Sequence, residues 1–269
     1  MNNVLEKLKE IEVGEVGITI YSTKEKKESA SLNSKLKIPL ASAAKVAIAF
    51  CVAKWVEDDV VEWDALVEEV SFNPEEDSKE LYPHLQNRQT LPLSEAVEVM
   101  IACHDSFIAR SIVECCGGWE KVNESLQSYY PSIHVTENPR DINNMGQLNE
   151  LLDLMIHIYQ GYKIQPLLWT PIMNGLVRQK GDINQVPPHH LNHMTGGLEN
   201  VAVDIGIIGD FNEDPYIFAM GAINLPNRLH HQDADRKIIE ATELFYSEYV
   251  KQRRDTSEEH KVKNHLDYS

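Results

Sequence analysis

The stretch Ile38–Asp59, IPLASAAKVAIAFCVAKWVEDD, places a serine and a lysine at the mouth of an otherwise apolar run. The run from Ala43 to Trp55 is apolar on every side and predicts a helix buried all round. Ser42 and Lys45 are three residues apart and therefore share one helix face. A serine in the first turn feels the partial positive charge of a helix N-terminus, which stabilises a developing alkoxide. A lysine one turn later, desolvated among apolar neighbours, has its pKa driven down toward neutrality. Its free amine can then take the serine proton. The alternative is a lysine that snorkels out at a helix end. The S-x-x-K spacing alone is weak, since a chain of this length holds about one copy by chance. A second copy, Ser34 to Lys37, lies at a polar strand end, where it carries no chemistry. The apolar context singles out Ser42 and Lys45.

Outward from this helix, the two ends of the chain read as β-rich and the middle as helical. VGITIYS (16–22) and ESASLNS (28–34) flank the polar turn TKEKK and predict a hairpin. VAVDIGIIGDF (201–211) and YIFAMGAINL (216–225) flank NEDP and predict a second, with HLNHMTGG before them as a candidate fifth strand. Between lie PLSEAVEVMIACH, with Ser94 as an N-cap, and DSFIARSIVECCGG, stopped by Gly117-Gly118. WEKVNESLQSYY and NMGQLNELLDLMIHIYQG follow as further helices, the last closed by Gly161. DADRKIIEATELFYSEYVKQRR predicts a long terminal helix. The expected organisation is an α/β (α+β) chain with a sheet subdomain from 1–53 and 187–254. A helical subdomain spans 54–186, and 255–269 is a frayed tail.

Composition narrows the function. The 269 residues are 42 % hydrophobic, enough for a full-sized core. A formal charge of −17 repels phosphate backbones and anionic lipid, so nucleic-acid and membrane-surface partners are not expected. The longest apolar run, 46–53, is too short to span a bilayer. No basic-apolar leader pattern opens the sequence, so the expected location is the cytoplasm. The four cysteines, two of them adjacent, fit free thiols in a reducing compartment. The eleven histidines show no metal-ligand spacing. No metal or cofactor is expected.

In order along the chain, four segments resemble one family. IPLASAAKVAIAFCVAKWVEDD resembles the nucleophile helix of class A β-lactamases and penicillin-binding-protein-like serine hydrolases. LPLSEAVEVMIACHDSFIARSIVECCGGWEKVNESL resembles their helix pair around the S-D-N motif. ENPRDINNMGQLNELLDLM resembles the end of the Ω-loop, with Arg140 and Asp141 in structural positions. HMTGGLENVAVDIGII resembles the K-T-G strand and its successor. The resemblance covers 16–249. It implies a serine β-lactamase-like fold: a five-stranded antiparallel sheet flanked by terminal helices, with an inserted all-α lobe. It also implies an acylation pair, Ser42 and Lys45, and an oxyanion hole from the backbone N–H groups of Ser42 and Gly197. Such a donor is worth about 3–4 kcal/mol at the transition state.

The departures from the family pattern are as informative. The S-D-N serine falls at His104, the aspartate is kept as Asp105, and the asparagine falls at Ser106. The K-T-G lysine falls at Met194, with Thr195 and Gly196 kept. No glutamate aligns with the residue that activates the deacylating water, although Glu137 is nearby in sequence. His104 is a candidate proton relay, or else a histidine packed at a lobe interface. Met194 cannot hold a substrate carboxylate, and His193 should point to the opposite face of its strand. Ser106, Thr195, Gly196 and Gly197 are the candidate substrate-binding residues. Two function classes follow. One is a serine hydrolase acting on a small-molecule or peptide-like amide or ester, weak on ordinary β-lactams. The other is a non-catalytic binding or sensor protein.

Overall fold

The computed structural model describes residues 1–179, 181 and 183–266, with side chains as far as Arg254. The chain opens with helix α1 (Asn2–Lys9), then the hairpin β1 (Glu15–Ser22) and β2 (Lys27–Leu32), and the short β3 (Lys37–Pro39). A single tight turn, Ala41–Ala43, leads into α2 (Ala44–Glu57). The helical lobe follows. It holds β4 (Leu66–Val67), α3 (Ser78–Leu81), β5 (Leu91–Pro92), α4 (Leu93–Ala102), α5 (Ser106–Cys115) and α6 (Trp119–Tyr129). It continues through β6 (Met145–Gln147), α7 (Leu148–Ile164) and α8 (Pro166–Val177). The chain then returns to the sheet with β7 (Leu191–Leu198), β8 (Val201–Ile208) and β9 (Tyr216–Ile223), and ends in α9 (Asp233–Leu266).

The five strands pair antiparallel in the order β2-β1-β9-β8-β7, so the two ends of the chain meet at the β1–β9 ladder. Strands β8 and β9 are buried on both faces, which is why they read as near-continuous apolar runs. One face packs against α1 and α9 through Leu8, Ile18, Phe218 and Phe245. The other joins the core of the helical lobe through Ile205, Ile217 and Ala219. Helix α2 crosses the centre of that core, and every residue from Ala44 to Ala53 is buried. No described helix is long and apolar enough to cross a membrane.

The expected hairpins, the fifth strand and the stop at Gly117-Gly118 are all present; both glycines adopt positive φ, 108° and 97°. Two expectations are corrected. Ser94 is not an N-cap: α4 already starts at Leu93 after Pro92, and no side chain caps it. Gly161 does not end α7, which runs on to Ile164. Its missing side chain makes room instead, because a Cβ there would sit 2.5 Å from the Trp169 indole of α8. Helix α8 itself, with Pro166 in its first turn and Pro171 inside it, has no counterpart in the sequence reading. The expected tail, 255–269, lies outside the residues with described side chains; the backbone of α9 is helical to Leu266.

The close approach at Gly161 is testable. Gly161→Ala gains about 1 kcal/mol of helix propensity but overpacks against Trp169, which typically costs about 1–3 kcal/mol. A lowered urea midpoint is expected, and an unchanged or raised midpoint would show that the helices part without cost.

Candidate active site

Three segments converge on Ser42. The first is its own turn. Ala41 has φ of 45°, in the left-handed region that an alanine rarely occupies. Such strain costs of order 1–3 kcal/mol and persists only where the surroundings fix it. Here Ala43 N–H donates to the Leu40 carbonyl at 2.8 Å, and Leu40 N–H donates to the Asn144 carbonyl at 2.8 Å. The buried Asn144 amide reaches the carbonyls of Ala41 at 3.4 Å and Pro139 at 3.1 Å. Ser42 therefore sits on a strained turn ahead of α2 rather than inside the helix, and it is half-buried.

The second segment is the edge strand β7, which packs along this turn. A Cβ on Gly196 would lie 2.9 Å from the Ser42 backbone nitrogen and 3.0 Å from Ala41 Cβ. Only a glycine lets the strand come this near; the adjoining Gly197 is exposed, with the Arg228 guanidinium beside it. Met194 is fully buried in the lobe-side core, so no cation stands at that position. The strand alternates as expected. His193 turns to the α9 side, where its Nδ1 meets Asp204 Oδ1 at 2.8 Å. Thr195 lies in the same row, opposite Asp204 in register, and is exposed. Arg228 does not supply the missing cation. Its guanidinium is bound to Asp235 and donates to the carbonyls of Leu198 at 3.2 Å and Val201 at 2.6 Å, clamping the β7–β8 turn.

The third segment is the α4–α5 junction. Asp105 caps α5, accepting from the N–H groups of Phe107 at 2.9 Å and Ile108 at 3.1 Å. Its other oxygen accepts from Asn73 N–H at 3.0 Å, and the Asn73 amide donates to Ser106 Oγ at 3.2 Å. Asn73 thereby pins the 73–77 loop over the junction. His104 has φ of 56° and its Nε2 is tied to Gln179 Oε1, while the Gln179 amide donates to the Ile101 carbonyl. Burial, and next the charge of Lys45, lower the His104 pKa.

Lys45 is only 3 % exposed. Burial lowers its pKa from 10.5 to about 8, against the opposing pull of Glu76 and Asp105. Among the described residues no carboxylate lies within ion-pairing distance of its amine. Glu76 is half-buried, and its carboxyl is raised by burial and lowered by Lys45. Glu137 is engaged elsewhere: it is ion-paired with Arg110 at 2.8 Å, on the wall of an outer cleft of about 410 Å³ that also includes Ser106 and Asn138. Ser42 and Gly196 thus meet at one mouth, and His104 and Asp105 are in electrostatic reach of the buried Lys45. Asn144, Asn73, Gln179 and Glu76 belong to the site through contacts that no sequence spacing signals.

A family model described as the beta-lactamase enzyme family matches residues 1–244. The chain belongs to the beta-lactamase enzyme family. Similar solved structures agree in fold. An acyl-enzyme complex of a PBP-A mutant with penicillin-G is 19 % identical with a TM-score of 0.75, covering 93 % of this chain and 97 % of its own. A beta-lactamase from Chitinophaga pinensis is 17 % identical with a TM-score of 0.75, covering 92 % and 98 %. The chromosome-encoded beta-lactamase of Vibrio parahaemolyticus is 14 % identical with a TM-score of 0.72, covering 92 % and 98 %. No curated protein matches the chain. In this fold Ser42 and Lys45 stand at the turn into α2, and Met194 of the edge strand is buried.

The depressed pKa of Lys45 has a consequence for stability. Its folded value lies below the unfolded one, so the protonated amine is carried at a cost below pH 8, and that cost is relieved as pH rises from about 8 toward 10.5. A lowering of this size corresponds to about 3 kcal/mol. Lys45→Met should therefore raise unfolding stability at pH 7 by a few kcal/mol and remove that rise with pH; a less stable variant in urea titrations would contradict a desolvated amine.

Proposed function

We propose that this protein is a serine hydrolase that opens an amide or ester bond of a small-molecule or peptide-like substrate through an acyl-Ser42 intermediate. The observation that carries the reading is the buried Lys45 amine, held one turn after Ser42 with its pKa brought down to about 8. Burying a lysine among alanines and valines is costly, and activation of the neighbouring hydroxyl is a use for that cost. Lys45, as the free amine, takes the Ser42 proton while Oγ bonds to the substrate carbonyl carbon. The oxyanion is received by the N–H groups of Ser42 and Gly197. The proton returns through His104 to the leaving nitrogen or oxygen as the scissile bond breaks, and water then releases the acid and restores Ser42. Ser106, Thr195 and Gly196 line the substrate path.

The substrate is neutral or cationic rather than a carboxylate. Met194 offers no charge, the Arg228 charge is taken by Asp235, and Arg110 is held by Glu137. Loss of one charge-assisted hydrogen bond costs about 1.5–3 kcal/mol, or roughly 10- to 150-fold in affinity for an ordinary penicillin. A second reading, a non-catalytic binding or sensor protein, is favoured by one observation: Gln179 holds the relay candidate His104 by its Nε2.

Intact-protein mass spectrometry with a fluorophosphonate and a penicillin separates the two. The hydrolase gives a fluorophosphonate adduct that Ser42→Ala abolishes, formed faster as pH rises and levelling above about 8. Penicillin should react more slowly. Silence toward both probes would favour the binding protein. Because Glu137 is held by Arg110, Glu137→Gln should leave the lifetime of any acyl adduct unchanged; a longer-lived adduct would make Glu137 the water-activating base.

A further inference from the structure

On the α9 side of the sheet, behind the edge strand, lies a cavity of about 230 Å³ that acylation at Ser42 does not use. Its walls are mostly apolar: Ala202 and Met220 from the sheet, Ile238 and Ile239 from α9. Its polar residues are Thr195, Arg228, Asp235, Thr242 and the buried His193 and Asp204, only 4 % and 7 % exposed. Their geometry is specific. His193 Nδ1 lies 2.8 and 3.0 Å from the two oxygens of Asp204. The residue opposite His193 in the ladder is Gly206, where a Cβ would lie 2.4 Å from His193 Cβ. The glycine leaves the imidazole room to reach the neighbouring strand.

Nδ1–H donates to the carboxylate, so in the neutral ring Nε2 carries the free lone pair. Nε2 is turned toward Gly181, itself on the cavity wall; a Cβ there would be 3.7 Å away. Arg228 and Asp235, also at the wall, satisfy one another. A buried, hydrogen-bonded histidine–aspartate pair beside an apolar cavity is a poor way to stabilise a sheet–helix layer, which hydrophobic side chains would fill at less cost. The same features suit a bound molecule: an apolar body with one polar atom fixed by an oriented imidazole.

We propose that this cavity is a binding site for a small, largely apolar molecule with a single hydrogen-bond donor, of the indole, azole or phenol class, whose N–H or O–H is accepted by His193 Nε2. The cavity opens on the α9 side of the sheet edge and the Ser42 mouth on the other; Thr195 and Gly196, at the edge itself, border both.

Titration calorimetry of the full chain at pH 8 with indole and with 1-methylindole tests this. The two probes differ in the donor and little in apolar area. Indole should bind, and 1-methylindole at least tenfold more weakly. Ala202→Phe, which fills the cavity from its floor, should abolish indole binding, and His193→Phe should remove the preference between the probes. Absence of indole binding, equal affinity of both probes for the unmodified protein, or undiminished binding to Ala202→Phe would overturn the proposal. The comparison of the two probes on the unmodified protein needs no variant to fold. Ser42→Ala should bind indole unchanged, so this site and the hydrolase reading fail or stand separately.

Discussion

Everything at this site depends on the burial of α2. The helix crosses the middle of the lobe-side core, and its apolar residues pack against α4, α5, α6, α7 and α8. The Lys45 amine goes in with them. A lysine held there cannot exchange its hydration for an ion pair at hand, so its basicity falls. The strained turn at Ala41 and the Asn144 amide that holds it place the half-buried Ser42 just ahead of the same helix. Core packing and the lowered basicity of Lys45 are thus one feature of the structure.

The edge strand decides what Ser42 can meet. Its backbone fits against the Ser42 turn only because Gly196 has no side chain. Strict alternation then sends Met194 into the core and His193 to the α9 side. A cation once removed from this strand cannot be replaced by a neighbour in sequence, since a shift of one residue points the other way. The cations that stand nearby in space, Arg228 and Arg110, are already committed to Asp235 and Glu137. Among the described residues, neither arginine is left to offer its charge to the Ser42 turn.

The segments that were legible beforehand are those whose signal is local. The hairpins at both ends show in β-branched runs around polar turns, α5 shows in its double-glycine stop, and Ser42 with Lys45 shows in an apolar context that a surface S-x-x-K lacks. The errors are local signals outvoted by packing. Ser94 has the chemistry of a cap, but Pro92 starts the helix before it. Gly161 looks like a stop, but it is the space into which Trp169 fits.

By itself, the sequence determined which residues could be buried, where the chain turns, and that a serine and a lysine share a face near a helix start, because these follow from side-chain type and period. Only the tertiary structure decided that β7 lies against Ser42, that Asn73, Asn144 and Gln179 brace the site, and that Glu137 belongs to Arg110. It also decided that His193 and Asp204 meet beside a cavity under α9. These are contacts between residues distant along the chain, set by how sheet, lobe and terminal helix pack, and no spacing in the chain encodes the distance between them.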